Sequence, residues 1–278
     1  EKKIPIILIN ARITKKSYKR WKFFPNFAKK IFNKFDLSLS SNKESLKYLK
    51  NLGVKNIKFI GNLKFAQAEK EISIINKKLK NFLKIKKTWC ASSTHQSEEL
   101  ICGIVHNNLK KRIKNLLTII IPRHIERTPE IKNQLEKLNL KVHLHEPQKK
   151  INPHTDIYLV NAYGKTKSFY SITKNVFLGG SLIKHGGQNP LEAVRFGCNI
   201  FHGPNIYNFR EIYQFLKKQK ISNKIFSQNE LTFYIKKMLS KKTKQKRIKK
   251  RLSSIGNEIL KKIYKEINYQ FKHENYQT

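Results

Sequence analysis

The stretch Gly179–Gly–Ser–Leu–Ile–Lys–His–Gly–Gly–Gln–Asn–Pro–Leu–Glu192 decides the fold class of this chain. It follows directly on an apolar segment, Val176–Leu178, which has the composition of a buried strand. It leads into a helix start, because Asn189 is a preferred cap, Pro190 suits the first helical position, and Glu192 at the third position can reach back to the cap amide. A buried strand, a glycine-bearing loop and a capped helix in this order are typical of an α/β protein.

Two glycines, Gly186 and Gly187, lie just before this helix. They allow a ligand to approach the backbone closely, and a helix N-terminus offers N–H groups and positive potential to an anion. A capped helix that binds nothing would not need these glycines. The sequence therefore predicts a phosphate site of a nucleotide here, with Glu192 as a candidate acceptor for ribose hydroxyls.

Short apolar runs alternate with amphipathic helical patterns along the whole chain. The predicted strands are Ile4–Ile9, Leu37–Ser40, Ile57–Ile60, Thr88–Ala91, Leu117–Ile121, Val142–His145, Ile157–Val160, Val176–Leu178 and Asn199–Phe201. The predicted helices are Asn42–Leu52, Glu98–Arg112, Pro129–Leu138, Pro190–Phe196, Phe209–Lys218 and a long one from Lys244 to Phe271. We expect Ser41 and Glu44 to form a capping box, and Gly53 to end that helix. Apolar strands alternating with helices predict parallel sheets covered on both faces.

A polar, lysine-rich stretch around Ala66–Lys87 separates two such strand–helix series. We expect residues 1–66 to be the end of one Rossmann-like domain, 67–87 a linker and 88–240 a second Rossmann-like domain. Residues 241–278 are expected to form a helix that packs back toward the first domain. Because Met238 is the only methionine, we expect the chain to be part of a longer protein whose first domain is incomplete here.

The composition excludes several classes of protein. No apolar run reaches the roughly 20 residues that cross a bilayer, and the start has no signal-peptide pattern. The three cysteines, Cys90, Cys102 and Cys198, have no metal or disulfide spacing and are expected to be reduced interior residues. The histidines show no metal-binding spacing, and no Ser/His/Asp triad can be defended. We expect neither a metal nor a cofactor.

The net charge of +41 has two interpretations. A basic protein can bind nucleic acid. The lysines are, however, spread along the whole chain, and the one dense block, Lys241–Arg251, falls on a predicted helix where a basic face is usually solvated. Basic residues also favour an anionic membrane, by about 1 kcal/mol each when held near it. We expect an anionic membrane surface as a partner and no nucleic acid.

Three further loops follow predicted strands, at the end where open α/β sheets bind ligands. Pro122–Arg123 carries a permanently charged guanidinium suited to a phosphate or carboxylate, unless it is simply solvated. Ser93 and Thr94 offer hydroxyls to a phosphate, or belong to an ordinary loop in which Ser97 caps the next helix. Tyr163–Gly164–Lys165 is a glycine turn that enters a helix.

These motifs together resemble 3-deoxy-D-manno-octulosonic acid (Kdo) transferases of lipopolysaccharide synthesis. The matching segments, in the order of the family, are Asn10–Ala–Arg12, Gly61–Asn–Leu–Lys–Phe65, Ala91–Ser–Ser–Thr–His95 with Glu98–Glu99, Pro122–Arg–His–Ile–Glu–Arg127, Gly179–Gly–Ser–Leu182, Gly186–Gly–Gln–Asn–Pro–Leu–Glu192, Gly203–Pro–Asn205 and Asn208–Phe209. They cover nearly the whole chain.

The resemblance implies a GT-B glycosyltransferase with two Rossmann-like domains and a cleft between them. It implies CMP-Kdo as donor and a lipid A precursor as acceptor, at the cytoplasmic face of the inner membrane of a Gram-negative bacterium. The residues implied to hold CMP are Pro122, Arg123, Tyr163, Gly164, Lys165, Asn189, Pro190, Leu191 and Glu192, with Ser93, Thr94, Gly186 and Gly187 as a possible phosphate loop. The catalytic base, a glutamate, is expected upstream of Glu1, so none is assigned here.

Two alternatives remain open from the sequence. One is another GT-B enzyme that uses a different nucleotide sugar. The other is a basic nucleic-acid-binding protein, or an inactive scaffold. Selective CMP binding that depends on Glu192 and Arg123 supports the first interpretation, whereas tight, salt-sensitive oligonucleotide binding supports nucleic-acid recognition.

Overall fold

A computed structural model describes residues 4–67, 75–146, 148–240 and 245–274. The chain divides into two compact units, one made of residues 1–68 with 251–278 and the other of residues 69–250. Part of the predicted linker, residues 68–74, lies outside the described residues, as do residues 241–244 and 275–278 of the predicted C-terminal segment.

The described residues form ten strands and eleven α-helices. The strands are β1 (Ile7–Ala11), β2 (Leu37–Ser40), β3 (Ile57–Phe59), β4 (Lys87–Thr94), β5 (Leu116–Pro122), β6 (Val142–Leu144), β7 (Ile157–Leu159), β8 (Asn175–Leu178), β9 (Asn199–His202) and β10 (Ser222–Lys224). The helices are α1 (Lys15–Trp21), α2 (Pro25–Phe32), α3 (Lys43–Asn51), α4 (Lys77–Lys84), α5 (Glu98–Lys110), α6 (Thr128–Glu136), α7 (Thr166–Ile172), α8 (Leu191–Arg195), α9 (Arg210–Lys218), α10 (Gln228–Leu239) and α11 (Gln245–Glu274). None of them is long and apolar enough to cross a membrane in the part of the chain that the structure describes.

The first unit contains a parallel sheet in the order β1-β2-β3, with Leu37 opposite Ile7 and Ser38 opposite Ile57. Both faces of β2 are buried, as expected for a central parallel strand. The last helix, α11, lies against this unit at Gly256, where a Cβ would come within 2.6 Å of the Phe65 carbonyl oxygen.

The start of α3 differs from the prediction. Asn42, not Ser41, is the cap, and its side-chain oxygen accepts from the amide of Ser45 at 2.6 Å. Ser41 donates its hydroxyl to the carbonyl of Ala11 on the neighbouring strand, and Glu44 accepts from the hydroxyl of Tyr48 at 2.6 Å. The predicted capping box is therefore wrong, because a tertiary contact uses the side chain of Ser41 and a contact within the helix uses that of Glu44. The helix ends before Gly53 as predicted, with φ at +107°.

The second unit is built on a seven-stranded sheet in the order β10-β9-β8-β4-β5-β7-β6, and every pairing in it is parallel. All residues of β5, β7 and β8 are buried, so both faces of the sheet are covered. The large side chains of Trp89, Phe177 and Phe201 lie in one core cluster. The predicted parallel α/β architecture is confirmed.

The order of the strands reverses between β4 and β8. From β4 the chain passes to β5 and then to the outermost strand β6, and β7 inserts between β5 and β6. The chain then continues on the other side of β4 with β8, β9 and β10. A reversal of this kind leaves a crevice at the carboxyl ends of the two strands, and it is where open α/β sheets bind ligands. The loops that follow β4 and β8 therefore begin the candidate site.

All nine predicted strands form, with limits that move by at most three residues. The sequence analysis missed β10, whose residues Ser222, Asn223 and Lys224 are polar and lie at the edge of the sheet. It also missed α1, α2 and α10.

Candidate functional site

Four adjacent strands, β8, β4, β5 and β7, end at one edge of the seven-stranded sheet. All of the residues predicted to bind a nucleotide lie at the carboxyl ends of these strands or in the segments that follow them. Ser93 and Thr94 are the last residues of β4, Pro122 is the last residue of β5 and Arg123 follows it, Tyr163–Lys165 follow β7, and Gly186–Glu192 follow β8 and reach into α8. Strand order thus brings together segments that are far apart in sequence.

The loops after β4 and β8 are in direct backbone contact. A Cβ at Gly179 would overlap the carbonyl oxygen of Ser93 and would lie 2.7 Å from a carboxylate oxygen of Glu98. The amide of Gly179 donates to the carbonyl of Ser92 at 2.9 Å. Thr94 is completely buried and Ser93 is partly buried. The end of β4 therefore lies beneath the surface, and a ligand cannot reach Thr94.

Glu98 holds these two loops together. Its carboxylate, which is not exposed at all, accepts from the amides of His95 at 3.0 Å, Gly180 at 2.7 Å, Ser181 at 3.1 Å and Leu182 at 3.0 Å. Burial raises the pKa of Glu98, and the four amide donors lower it in part. The amides at the start of the β8 loop therefore already have an anion, which is the protein's own.

The sequence analysis treated Glu98 only as part of a matching motif and as the start of a helix. Its role follows from partners that are 82 to 84 residues further along the chain. Ser97, considered as the cap of α5, has a left-handed φ of +75° and makes no side-chain cap bond. The one sequence feature that could have indicated this role is the position of Glu98, an acidic residue in the first turn of a helix that follows a buried strand.

The glycines of the β8 loop are required by close packing. Gly186 has a φ of +106°, and a Cβ there would overlap the side chain of Asn208. Gly187 donates its amide to the carbonyl of Gly180 at 2.8 Å, which folds the loop back on its own start. The loop after β9 is packed into the same region, since Asn205 donates its amide to the carbonyl of Ser181 at 2.9 Å.

The helix after this loop begins one residue later than predicted. Pro190 is the cap residue of α8, and Asn189 instead forms a turn in which its side-chain oxygen accepts from the amide of Leu191 at 3.2 Å. Glu192 is consequently the second helical residue, and its carboxylate lies 3.9 Å from the ammonium of Lys167.

The two arginines of the β5 loop have different surroundings. Arg127 pairs with the buried carboxylate of Glu99, with Nη1 3.1 Å from Oε1. Arg123 is exposed, and its amide is fixed by the carbonyl of Thr94 at 2.9 Å. Arg123 thus presents its charge to solvent at the carboxyl ends of the strands, whereas the charge of Arg127 is paired with that of Glu99.

Three imidazoles lie beside Arg123. The rings of His95 and His185 are 4.1 Å apart between centroids, and those of His95 and His124 are 5.8 Å apart. Burial, followed by the charges of His185, His124, Arg123 and Arg127, lowers the pKa of His95 to about 4. In the described ranges no group of three or more metal-binding side chains is placed to hold an ion.

Tyr163, Gly164 and Lys165 lie after β7, next to the β5 loop. The hydroxyl of Tyr163 is 3.4 Å from Oε2 of Glu126, and the ring is 64% exposed. Gly164 has a φ of +73°, and a side chain there would meet only open space. Lys165 is the cap residue of α7 and is only partly exposed. An exposed ring beside a glycine turn leaves room for a flat ligand group.

This end of the sheet therefore combines a permanent positive charge, an aromatic ring, a cluster of imidazoles and a helix with an acidic residue in its first turn. Such a set can bind an anionic, hydrogen-bonding ligand and stabilise negative charge that develops on a leaving group. The residues predicted separately along the chain come together on four neighbouring loops.

Comparison with known proteins bears on the family of this chain. Residues 1–67 match a family model described as 3-deoxy-D-manno-octulosonic-acid transferase (kdotransferase). The chain is 31% identical over 233 residues to the 3-deoxy-D-manno-octulosonic acid transferase of Rickettsia bellii, covering 83% of this chain and 55% of the relative. It is 27% identical over 261 residues to that of Haemophilus influenzae, covering 92% and 60%. The chain thus spans little more than half the length of these relatives.

Solved structures agree on the fold. The C-terminal CMP-Kdo binding domain of WaaA from Acinetobacter baumannii aligns with a TM-score of 0.56 and 23% identity, over 64% of this chain and 91% of that domain. Anabaena Alr3699/HepE in complex with UDP aligns with a TM-score of 0.51 and 12% identity, over 95% of this chain and 72% of that protein. Both likenesses concern architecture, which is the GT-B glycosyltransferase fold.

The motifs in family order, the matched family model and the relatives over most of the chain all agree, and we conclude that this chain belongs to the 3-deoxy-D-manno-octulosonic acid transferase family of glycosyltransferases.

Proposed function

We propose that this protein acts in the transfer of Kdo from CMP-Kdo to a lipid A precursor, with inversion at the anomeric carbon, and that its second unit binds the CMP part of the donor. The observation that carries the proposal is the convergence of the Pro122–Arg123, Tyr163–Lys165 and Asn189–Glu192 segments on one edge of the seven-stranded sheet. The identities of the sugar and of the nucleotide in this proposal are taken from the names of the similar proteins.

Each of these segments would contact a different part of a nucleoside monophosphate. Arg123 offers a rigid, permanently charged fork to the phosphate that leaves with CMP. Tyr163 offers an exposed ring to a base, and Gly164 leaves the space above it open. Glu192, whose carboxylate is partly exposed, can accept hydrogen bonds from ribose hydroxyls.

The amides of residues 180–182 are not available for the phosphate, because Glu98 already occupies them. The amide of Gly187 is also occupied, by the carbonyl of Gly180 at 2.8 Å, so the proposal assigns the phosphate to Arg123. A buried internal carboxylate at this point would keep a second anion away from the β8 amides, and it would direct the donor phosphate toward the guanidinium.

The acceptor side of the proposal is a lipid A precursor in an anionic membrane. The net charge of +41 supports attraction to such a surface. The chain spans little more than half the length of its relatives, so the first test is donor binding rather than turnover.

Calorimetric titration of the chain with CMP, UDP and a short single-stranded oligonucleotide tests the proposal. CMP is expected to bind more tightly than UDP, and Arg123→Ala is expected to weaken CMP binding at least tenfold. The matched control is Arg112→Ala, an exposed arginine that precedes β5 and so lies toward the opposite edge of the sheet.

Glu192→Gln gives a second check on the ribose contact, with an expected loss of about threefold to tenfold, the range of one modest hydrogen bond. Equal affinity for CMP and UDP would favour a different nucleotide sugar. Tight oligonucleotide binding with a steep salt dependence, together with no CMP binding, would favour a nucleic-acid-binding protein.

A further inference from the structure

The segment that joins α1 to α2 exposes an unusual number of aromatic side chains. We call residues 21–27, Trp–Lys–Phe–Phe–Pro–Asn–Phe, the aromatic tip. Phe23 is 79% exposed, Phe24 66% and Phe27 58%. Exposed apolar side chains scattered singly are ordinary, but three within five residues form a patch that marks an interaction surface.

The aromatic tip is held on the body of the first unit. The ring of Trp21 stacks on that of Phe27 with centroids 6.2 Å apart, and it meets the ring of Phe32 edge-on at 5.1 Å. Phe32 packs against the buried cluster of Ala11, Leu49 and Val54. The exposed rings are therefore attached to a core through an aromatic chain, and they do not fold back into that core themselves.

The surroundings of the aromatic tip carry charge of one sign. Residues 4–35 contain nine basic side chains and no acidic one, and all nine are exposed. They are Arg12, Lys15, Lys16, Lys19, Arg20, Lys22, Lys29, Lys30 and Lys34. Each is attracted to an anionic lipid surface when it is held near it. The charge is thus complementary to a layer of anionic headgroups.

We propose that the aromatic tip docks this unit onto an anionic bilayer, with Phe23, Phe24 and Phe27 entering the boundary between headgroups and acyl chains and the basic side chains of α1 and α2 lying among the headgroups. Apolar rings beside lysine and arginine are the composition of surfaces that lie in a membrane interface. The phenylalanine side chains have no polar atom with which to recognise the edge of a base or a peptide, and an apolar acyl layer accepts such rings without any polar partner.

This inference locates the membrane contact contained in the proposed function, and it does not depend on nucleotide binding. The two therefore fail separately. If the chain binds vesicles but not CMP, the donor assignment is wrong and the membrane-docking proposal is supported. If the chain binds CMP but not vesicles, the donor assignment is supported and the membrane-docking proposal is wrong.

The test is sedimentation of the whole chain with vesicles of phosphatidylcholine containing about one third phosphatidylglycerol. The triple variant Phe23→Ser, Phe24→Ser, Phe27→Ser is expected to lower the partition coefficient at least tenfold, and vesicles of phosphatidylcholine alone are expected to bind weakly. The matched control is Phe226→Ser with Phe233→Ser, two phenylalanines on the second unit that are 62% and 58% exposed. It is expected to bind as the unmodified chain does.

Tryptophan fluorescence of the unmodified chain gives a second measurement, which needs no variant to fold. The chain has two tryptophans, and Trp89 is completely buried in the core of the second unit, so a change on adding vesicles reports Trp21. We expect a blue shift and quenching by brominated acyl chains. An unchanged spectrum, full binding by the triple variant, or an equal loss in the control would overturn the proposal. So would an oligonucleotide that displaces the vesicles and loses at least tenfold affinity in the triple variant.

Discussion

Replacing Glu98 by alanine is expected to destabilise the second unit strongly and to loosen the edge of the sheet that carries the candidate donor site. The carboxylate of Glu98 is the acceptor for four backbone amides, at 2.7 to 3.1 Å, which belong to the loops after β4 and β8. No other side chain in the described part of the molecule is found to accept from these four amides.

The magnitude follows from the number of donors. A buried donor that loses its partner costs about 1–3 kcal/mol, so four would cost at least about 4 kcal/mol before any water enters. Removing the carboxylate also relieves its desolvation, the effect that raises its pKa, and this offsets part of the loss. We therefore expect Glu98→Ala to lower the free energy of unfolding by about 4 kcal/mol, and Glu98→Gln by about 2 kcal/mol, since glutamine keeps one of the two acceptor oxygens.

Urea unfolding followed by circular dichroism measures both values. The matched control is Glu136→Ala on α6, whose carboxylate is 44% exposed and pairs with Lys132 in the next turn. It is expected to change stability by less than about 0.5 kcal/mol. If Glu98→Ala lowers the free energy of unfolding by less than about 1 kcal/mol, the four hydrogen bonds do not hold the loops, and the reasoning above is refuted.

Three further outcomes are expected from urea unfolding. Gly203→Ala should cost about 2–4 kcal/mol, since its Cβ would overlap the carbonyl of Ser181, and an unchanged midpoint would contradict that contact. Arg127→Ala should cost about 3–5 kcal/mol at pH 7 because it leaves the buried carboxylate of Glu99 unpaired, and the loss should be smaller at a pH that protonates Glu99. Burial lowers the pKa of His202 from 6.5 to about 4, so its contribution is complete above pH 6.5 and is lost as the pH falls toward 4. The unmodified chain should therefore lose up to about 3 kcal/mol more than His202→Gln over that range, and parallel pH profiles would contradict this assignment.

Much of the fold was predictable because its signals are local. The nine strands were found because β-branched and apolar runs of three to six residues alternate with amphipathic stretches, and this pattern is typical of a parallel sheet covered on both faces. The strand β10 was missed because its residues are polar and its place at the sheet edge requires little burial. The cap of α3 was misassigned by one residue because Ser41 is used by the neighbouring strand.

The candidate site was predictable loop by loop. Glycine, proline and arginine directly after a buried strand are recognisable without a structure, since the carboxyl ends of parallel strands are where such a fold binds ligands. The sequence singled out Arg123 by its place directly after the strand, but it gave no sign that Arg127 is paired, because the partner of Arg127 is the buried carboxylate of Glu99, which only folding brings beside it. It also could not show that Thr94 is buried.

The Gly179–Glu192 stretch shows which features follow from residue types alone and which follow only from the tertiary structure. Its residue types alone establish a strand, a tight loop and a helix, because these depend on backbone preferences within a few positions. That its first amides are taken by Glu98, while Gly186 and Gly187 pack against the loop after β9, depends on β8 lying between β4 and β9. Such contacts join residues tens of positions apart, and their energy exists only when the sheet has assembled in that order.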